Sequence, residues 1–445
     1  KMALALPEIL RTEPAACELM DGKSLRLARQ AYPEYADVLP DDIDASLLVE
    51  YSGPDEAAVV KQLQQARRMA EQLPASARCQ GVNEITSPKV QARVWAARKA
   101  AVPLLFRGKG PVQPIPVIED AAVNPEQLGQ YLRGLQEISA RMGLPMVYYG
   151  HAGSGELHIR PFLNLHRPEE VRKMRRLAEE TFKLVWSLGG TISGEHGEGL
   201  VRVSFIRQQY GQEVYNIFRQ VKNIFDPRNL LNPGKIINDD PDVMEKNLRF
   251  SASSVHENRP RNLVYRDGEF LAEIENCNGN GLCRSSDPLI SMCPIFRATG
   301  DEDASPRAKG NLMRHWLYGL LDENIMQTEE FKRVADLCVN CKMCALQCPS
   351  LVNVPKLMME ARAEYVRHKG LTRPQFVLTR SEWMSRFGSS LAPLANLFLA
   401  LGWFRKVLEL ASGLDHRRPM PAFDFGSNVK KLQRYLRQKN VIEKP

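Results

Sequence analysis

Seven of the nine cysteines in this 445-residue chain fall between positions 277 and 348, and only Cys17 and Cys79 lie elsewhere. Thiols crowded into one stretch of an apparently cytosolic chain point to metal rather than to a disulfide framework. The stretch "CVNCKMCALQCP", Cys338 to Cys348, has the spacing C-x2-C-x2-C-x3-C-P. That spacing lets three thiolates grip one iron–sulfur cubane while the proline turns the chain away after the fourth. A [4Fe-4S] cluster is expected here, with a zinc site or a nest of reduced thiols as the alternative.

Upstream, "ENCNGNGLCRSSDPLISMCP" (275–294) sets Cys277 and Cys283 where the first and third cysteines of the same motif would stand. Asn280 takes the middle position, Gly279 and Gly281 supply tight backbone, and Cys293 precedes a proline. In two-cluster ferredoxins the fourth cysteine of each run ligates the other cluster. Applied here, one cluster takes Cys338, Cys341, Cys344 and Cys293. The other takes Cys277, Cys283 and Cys348, with Asn280 at the vacant corner. Three thiolates suit a [3Fe-4S] cluster, or a [4Fe-4S] cluster with a non-thiolate fourth ligand. A single cluster, with Cys277 and Cys283 as spare thiols, is the competing reading.

The length is too great for one core, and 44% hydrophobic with 25% charged residues is ordinary for a globular protein. A net charge of +8 favours acidic substrates or an anionic membrane surface and does not by itself indicate nucleic acid. No run approaches the roughly 18 apolar residues that span a bilayer. "KMALALPEIL" is too short an apolar run for a secretory leader and does not start with Met, so a longer parent chain and a cytoplasmic location are expected. "LAPLANLFLALGWFRKVLELASGL" (391–414) reads as a packing helix pair or as a peripheral contact with the inner membrane.

Strand, turn and long helix are expected over 45–74, a helix over 88–102, and a strand in "PIPVIEDAAV" before the helix "PEQLGQYLRGLQEISARMG". "PMVYYGHAGSGELHIRPFL" reads as a hairpin. In it a two-residue Ser154-Gly155 turn would place His151 opposite His158, with Cβ atoms about 4.5–5.5 Å apart. Two imidazoles that close can share one metal; ordinary hydrogen-bonded histidines are the alternative. "TISGEHGEGL" adds Glu195 and His196, whose side chains would point apart in an extended backbone. Glu195 would complete a His-His-carboxylate set with open positions, suited to zinc or non-haem iron(II). His196 would face substrate as a general base. A plain turn with solvated charges is the alternative.

"GHAGSGELHIRP", "GGTISGEHGEGL" and "FDPRNLLNPGKI", in this order and spacing, resemble the C-terminal domain of FAD-linked oxidases. That group includes the D-lactate, glycolate and D-2-hydroxyglutarate dehydrogenases of the vanillyl-alcohol oxidase superfamily. The resemblance covers about residues 40 to 240. The cysteine region is similar to the ferredoxin-type domain of the long bacterial fused forms, and "LDHRRPMPAF" is similar to the segment that follows it.

The resemblance implies an α+β chain: a ferredoxin-like α/β substrate (cap) domain followed by a mainly α-helical iron–sulfur domain. Residues 1–40 would continue from an FAD-binding domain, 41–240 would form the substrate domain, 241–270 a linker, 271–370 the iron–sulfur domain and 371–445 a helical extension. By the same resemblance His151, His158 and Glu195 bind a divalent ion, usually zinc, and His196 is the base. Arg98 in "WAARK" matches a substrate-carboxylate arginine, and Arg160 offers a second anchor. The metal would polarise the substrate 2-hydroxyl while His196 removes its proton, and hydride would pass from C2 to flavin N5. Nothing here resembles the family's FAD cradle, so FAD held by another domain or subunit is expected. The expected reaction is oxidation of a D-2-hydroxy acid, D-2-hydroxyglutarate first and D-lactate second. Electrons would leave through the clusters to a quinone or carrier protein. Two competing classes are a non-catalytic electron-transfer subunit, in which His196→Ala is silent, and a metal-dependent hydrolase, which needs no flavin.

Overall fold

Alternating apolar residues along Met146–Leu163 build the middle of the sheet on which the substrate domain rests. In this computed structural model, which describes residues 2–39, 41–108, 110–250, 261–266, 268–424 and 428–438, that sheet has six strands. They are β1 (Ala16–Asp21), β2 (Ala45–Glu50), β3 (Gln113–Pro114), β4 (Ala121–Ala122), β5 (Met146–Gly150) and β6 (Glu156–Leu163). Their order is β2-β1-β5-β6-β3, with β4 also on β6, and every pairing is antiparallel.

The helices of this part are α1 (Met2–Leu10), α2 (Gly22–Ala31), α3 (Glu56–Gln72), α4 (Pro88–Leu105), α5 (Leu128–Met142), α6 (Pro168–Ser187), α7 (Gly199–Arg202) and α8 (Ile206–Phe225). Asp21 and Asp55 cap α2 and α3 by accepting the amides of Ser24 and Ala58, each at 2.8 Å. Leu135 of α5 and Phe182 of α6 join Leu157, Ile159 and Leu163 of β6 in one core, all at 0% exposure. Because strand side chains alternate, Glu156, His158 and Arg160 then face the other way. This alternation positions the site.

The sheet with its flanking helices makes the architecture α+β. One expectation from the sequence changes. Residues 114–123 are not one strand but two short pieces. Prolines 114 and 116 cannot donate to a ladder, and Asp120 turns the chain at φ 70. Residues 1–40 supply α1, β1 and α2, and β1 pairs with both β2 and β5. The stretch expected to be a linker begins buried: Met244 and Phe250 join the core. Residues 251–260 of that linker lie outside the described residues.

The cysteine region is helical among the described residues: α9 (Glu269–Glu275), α10 (Pro294–Thr299), α11 (Pro306–Leu317), α12 (Glu329–Asp336), α13 (Met343–Gln347) and α14 (Val354–Lys369). Ser305 caps α11 through the Ala308 amide at 3.0 Å, with Pro306 at the first helical position. By compactness the chain divides into Lys1–Ile325 with Arg333–Glu360, and Met326–Lys332 with Ala361–Pro445.

The second unit carries α15 (Arg373–Leu378), α16 (Ser381–Ser390), α17 (Ala392–Ala400), α18 (Gly402–Ser412) and α19 (Asn428–Gln438). Asn396 of α17 bonds the backbone of Phe423 in both directions, at 2.8 and 2.7 Å. Much of the apolar surface of α16–α18 is open: Trp383 is 68% exposed, Leu397 59%, Trp403 61% and Leu410 78%. No helix among the described residues is long and apolar enough to cross a membrane.

Candidate active site and iron–sulfur loops

The face of β6 that turns from the core presents Glu156, His158 and Arg160. The hairpin register differs from the sequence expectation: Tyr149, not His151, lies opposite His158. The connection is a longer loop with a tight turn, in which the His151 carbonyl accepts Ser154 N at 3.1 Å and Glu156 N at 3.2 Å. Gly155, at φ 71, closes it where an added Cβ would lie 1.9 Å from the Val123 carbonyl. The turn still carries His151 over the strand, edge-on to His158 at 5.2 Å between ring centroids.

Donor atoms of His151, Glu156, His158 and Glu195 all lie within 4.8 Å of one another. Glu195 Oε1 is 3.5 Å from His151 Nε2 and 3.6 Å from His158 Nε2, and Glu156 Oε1 is 3.9 Å from His158 Nε2. Ligands bonded to one ion at about 2.1 Å in tetrahedral geometry stand about 3.4 Å apart, so these spacings suit a shared divalent ion. Glu156 Oε1 and His158 Nδ1 are also buried without a hydrogen-bond partner, a costly state for polar atoms. A zinc-like ion fits the Glu156 oxygen.

Charge around the site is arranged in layers. Burial, then electrostatic repulsion from the neighbouring His151, His196, Arg98 and Arg160, pulls His158 down to about 3, which keeps it in the neutral form that binds metal. Burial, the hydrogen bond with Asp120 and the charge of Glu195 push Glu156 up to about 7. For His151 burial acts downward, but the hydrogen bond to Glu18 and the charges of Glu18, Glu195 and Glu156 outweigh it and raise its pKa. Its Nδ1 meets Glu18 Oε1 at 2.7 Å, which fixes the ring and leaves Nε2 for the site.

Both arginines singled out from the sequence reach this region, each against a carboxylate. Arg98 holds Glu18 Oε2 through Nε at 3.0 Å and Nη2 at 2.8 Å. Arg160 pairs with Glu119 and donates Nε to the Tyr149 hydroxyl at 3.1 Å. Nη1 of each guanidinium stays outside these pairs.

Asp120 builds the loop that carries Glu195 and His196. Fully buried, it accepts Glu195 N at 2.8 Å, His196 N at 3.1 Å and the Ser193 hydroxyl at 2.8 Å. Arg202 Nη1 stands 3.2 Å from its carboxylate. The backbone bends around this anchor instead of running extended. Glu195 and His196 therefore converge, with Glu195 Oε1 3.3 Å from His196 Nε2, rather than pointing apart. His196 stacks on His158 at 5.1 Å and 8°, and its Nδ1 lies 3.7 Å from Glu119. Sequence reasoning missed Glu18, Glu119, Asp120, Glu156 and Arg202. Glu156 alone had a local signal, its shared strand parity with His158 and Arg160.

The cysteines gather around two cavities. Cys293, Cys338, Cys341 and Cys344 line one. Cys277, Cys283 and Cys348 line the other with Asn280, and Cys344 borders both. None of them is in a disulfide. Burial pushes Cys283 up to about 11 and Cys344 up to about 12, so these thiols need a metal to become thiolates. The two loops bend alike: Gly279 and Gly281 flank Asn280 at φ 77 and 73, and Asn340 and Lys342 flank Cys341 at φ 54 and 64. Asn280 thus takes the place that Cys341 takes in its own loop. Its Oδ1 accepts Leu282 N at 2.9 Å, and its Nδ2 donates to Asn278 at 2.8 Å.

Comparison with known proteins agrees with this anatomy. Residues 1–236 match the family of FAD linked oxidases, C-terminal domain, and residues 273–352 match the 4Fe-4S dicluster domain. A D-2-hydroxyglutarate dehydrogenase of Haemophilus influenzae is 28% identical over 92% of this chain and 43% of the relative. One from Pseudomonas putida is 29% identical over 95% of this chain and 45% of the relative. A D-lactate dehydrogenase of Archaeoglobus fulgidus is 29% identical over 50% of this chain and 46% of the relative. The chain spans less than half the length of these curated relatives. The two family matches imply FAD and an iron–sulfur cluster as cofactors. The chain belongs to the FAD-linked oxidases, carrying their C-terminal domain joined to a 4Fe-4S dicluster domain.

Proposed function

We propose that this chain is the substrate-oxidising and electron-exporting part of a D-2-hydroxy acid dehydrogenase, acting on D-2-hydroxyglutarate first and D-lactate second. The observation that carries the reading is the convergence of His151, Glu156, His158 and Glu195 within 4.8 Å, with His196 stacked on His158. His151, Glu156, His158 and Glu195 would hold a divalent ion, zinc in the first instance, which would supply Lewis acidity to a 2-hydroxyl, with FAD from a flavin domain or subunit as the hydride acceptor. His196 Nε2, beside Glu195, takes the hydroxyl proton, while Glu119 faces Nδ1 and steadies the imidazolium. Arg160 and Arg98 offer their remaining Nη1 donors to substrate carboxylates. Glu18 and Asp120 hold His151 and the 193–196 loop in register.

Electrons would leave through two clusters, a [4Fe-4S] on Cys293, Cys338, Cys341 and Cys344, and a [3Fe-4S] or [4Fe-4S] on Cys277, Cys283 and Cys348. The terminal acceptor would be a quinone or carrier protein. The ferredoxin-like description of the substrate domain is part of the same reading. The open apolar surface of α16–α18, with Trp383, Leu397, Trp403 and Leu410 exposed, supports peripheral contact with a membrane. The test is dye reduction by the flavin-loaded full-length protein with both enantiomers of 2-hydroxyglutarate and lactate. Turnover of the D-acids alone is expected. Turnover of L-acids, or hydrolysis without any acceptor, would overturn the proposal.

A further inference from the structure

Lys309, in the first turns of α11, is 2% exposed, although lysine is almost never fully buried unless paired. Its ammonium donates to two backbone carbonyls, Asp303 at 3.0 Å and Ala304 at 2.5 Å. Among the described residues it makes no ion pair. The Asp303 carboxylate points elsewhere, 3.4 Å from Arg333. Two carbonyl dipoles are weak repayment for burying a full charge, so the missing counter-charge has to be sought nearby.

The cavity wall supplies it. Lys309 lines the cavity of Cys293, Cys338, Cys341 and Cys344 and does not line that of Cys277, Cys283 and Cys348. The Ala304 carbonyl that it holds is also 3.2 Å from Cys293 Sγ. Four thiolates around an iron–sulfur cubane carry net negative charge, and reduction adds a further full charge. A cation fixed in the dry wall of that cavity therefore favours the reduced form, with little screening by salt. The other cavity has Arg307 on its wall, but this side chain is part-exposed and neutralised by Glu302 at 2.9 Å.

We infer that Lys309 tunes the cluster held by Cys293, Cys338, Cys341 and Cys344, raising its reduction potential by stabilising the added electron. Lys309 is a positioning residue for charge and not a ligand. The inference rests on the reading that those four thiolates hold a [4Fe-4S] cluster. It makes this cluster a better electron acceptor than four buried thiolates alone would allow.

The test is an EPR-monitored redox titration of the anaerobically purified full-length protein, comparing wild type with Lys309→Met and Lys309→Arg. Lys309→Met should lower the [4Fe-4S] midpoint by at least a tenfold change in the reduced-to-oxidised ratio, which is about 59 mV for one electron. The signal of the other cluster should stay in place, and Lys309→Arg should titrate close to wild type. A Lys309→Met midpoint equal to wild type overturns the inference. Should Lys309→Met fail to assemble the cluster, Lys309→Gln takes its place in the same titration. Loss of the signal from both neutral variants overturns tuning in favour of a purely structural role. A wild type without any [4Fe-4S] signal removes the ligand reading itself, a result distinct from an unmoved midpoint.

Discussion

Replacing Asp120 by alanine removes the acceptor from which the loop bearing Glu195 and His196 hangs. Its carboxylate takes two backbone amides, the Ser193 hydroxyl and the Arg202 guanidinium. Hydrogen bonds to a charged group contribute about 1.5–3 kcal/mol each, so a naive sum over four runs to roughly 6–12 kcal/mol. That sum is too large, because water can reach the exposed 195–196 amides once the acceptor is gone. Arg202 is buried and has no such rescue, although it keeps the carbonyls of Glu119, Ile192 and Gly197. Removing one partner of a buried pair costs about 3–5 kcal/mol, which is the expected loss. Scanning calorimetry should show the melting of this part of the protein lowered on the order of 10 °C, and bound zinc should fall because Glu195 is no longer placed.

Asp120→Asn, with one acceptor oxygen, should fall between. Burial would raise the Asp120 pKa, but the Glu195 amide, the Ser193 hydroxyl, Glu156 and the His196 amide outweigh it and hold it below its usual value. Its stabilisation is therefore complete above the usual carboxylate range and is lost as pH falls through the depressed value. The asparagine variant should accordingly lose less stability than wild type on acidification. An Asp120→Ala protein that melts, binds zinc and turns over like wild type would refute this reasoning.

Further outcomes can be checked separately. His158→Ala should weaken zinc binding by more than about 100-fold by competition with a chelator, since second-shell changes alone cost 10–100-fold. Gly155→Ala should destabilise by about 3 kcal/mol in chemical denaturation, from the left-handed backbone and the clash with Val123 O together. Cys348→Ser should abolish the EPR signal of the three-thiolate cluster and spare the other. Co-sedimentation with anionic vesicles should capture the protein, and Trp383→Ser with Trp403→Ser should weaken capture at least about tenfold, because each large side chain buries roughly 1.5–3 kcal/mol.

What the sequence revealed depended on how locally each feature is encoded. The cysteine spacing is local, and both cavities draw their cysteines from two stretches, 277–293 and 338–348. His151, His158, Glu195 and His196 stand in glycine-punctuated loops that mark them out. Glu18 and Asp120 carry no such mark: isolated acids lying 133 and 75 residues from the groups they orient are visible only after folding. The hairpin register was misread because Ser154-Gly155 can close a two-residue turn, whereas Gly155 here closes a wider loop against Val123. The pairing of β1 with β2 and β5 depends on contacts distant in sequence. The single strand expected over 114–123 overlooked Pro114 and Pro116, which cannot donate to a ladder.

The central claim is that the histidine–carboxylate cluster and His196 act together in oxidising a D-2-hydroxy acid. It is tested most directly by anaerobic stopped-flow bleaching of the flavin with D-2-hydroxyglutarate, in the full-length flavin-loaded protein. Wild type, chelator-stripped wild type and His196→Gln would be compared at equal flavin content. The account predicts rapid bleaching in the first and rates slower by about 100-fold or more in the other two, with re-addition of zinc restoring the stripped enzyme only. Equal bleaching rates in all three would contradict it.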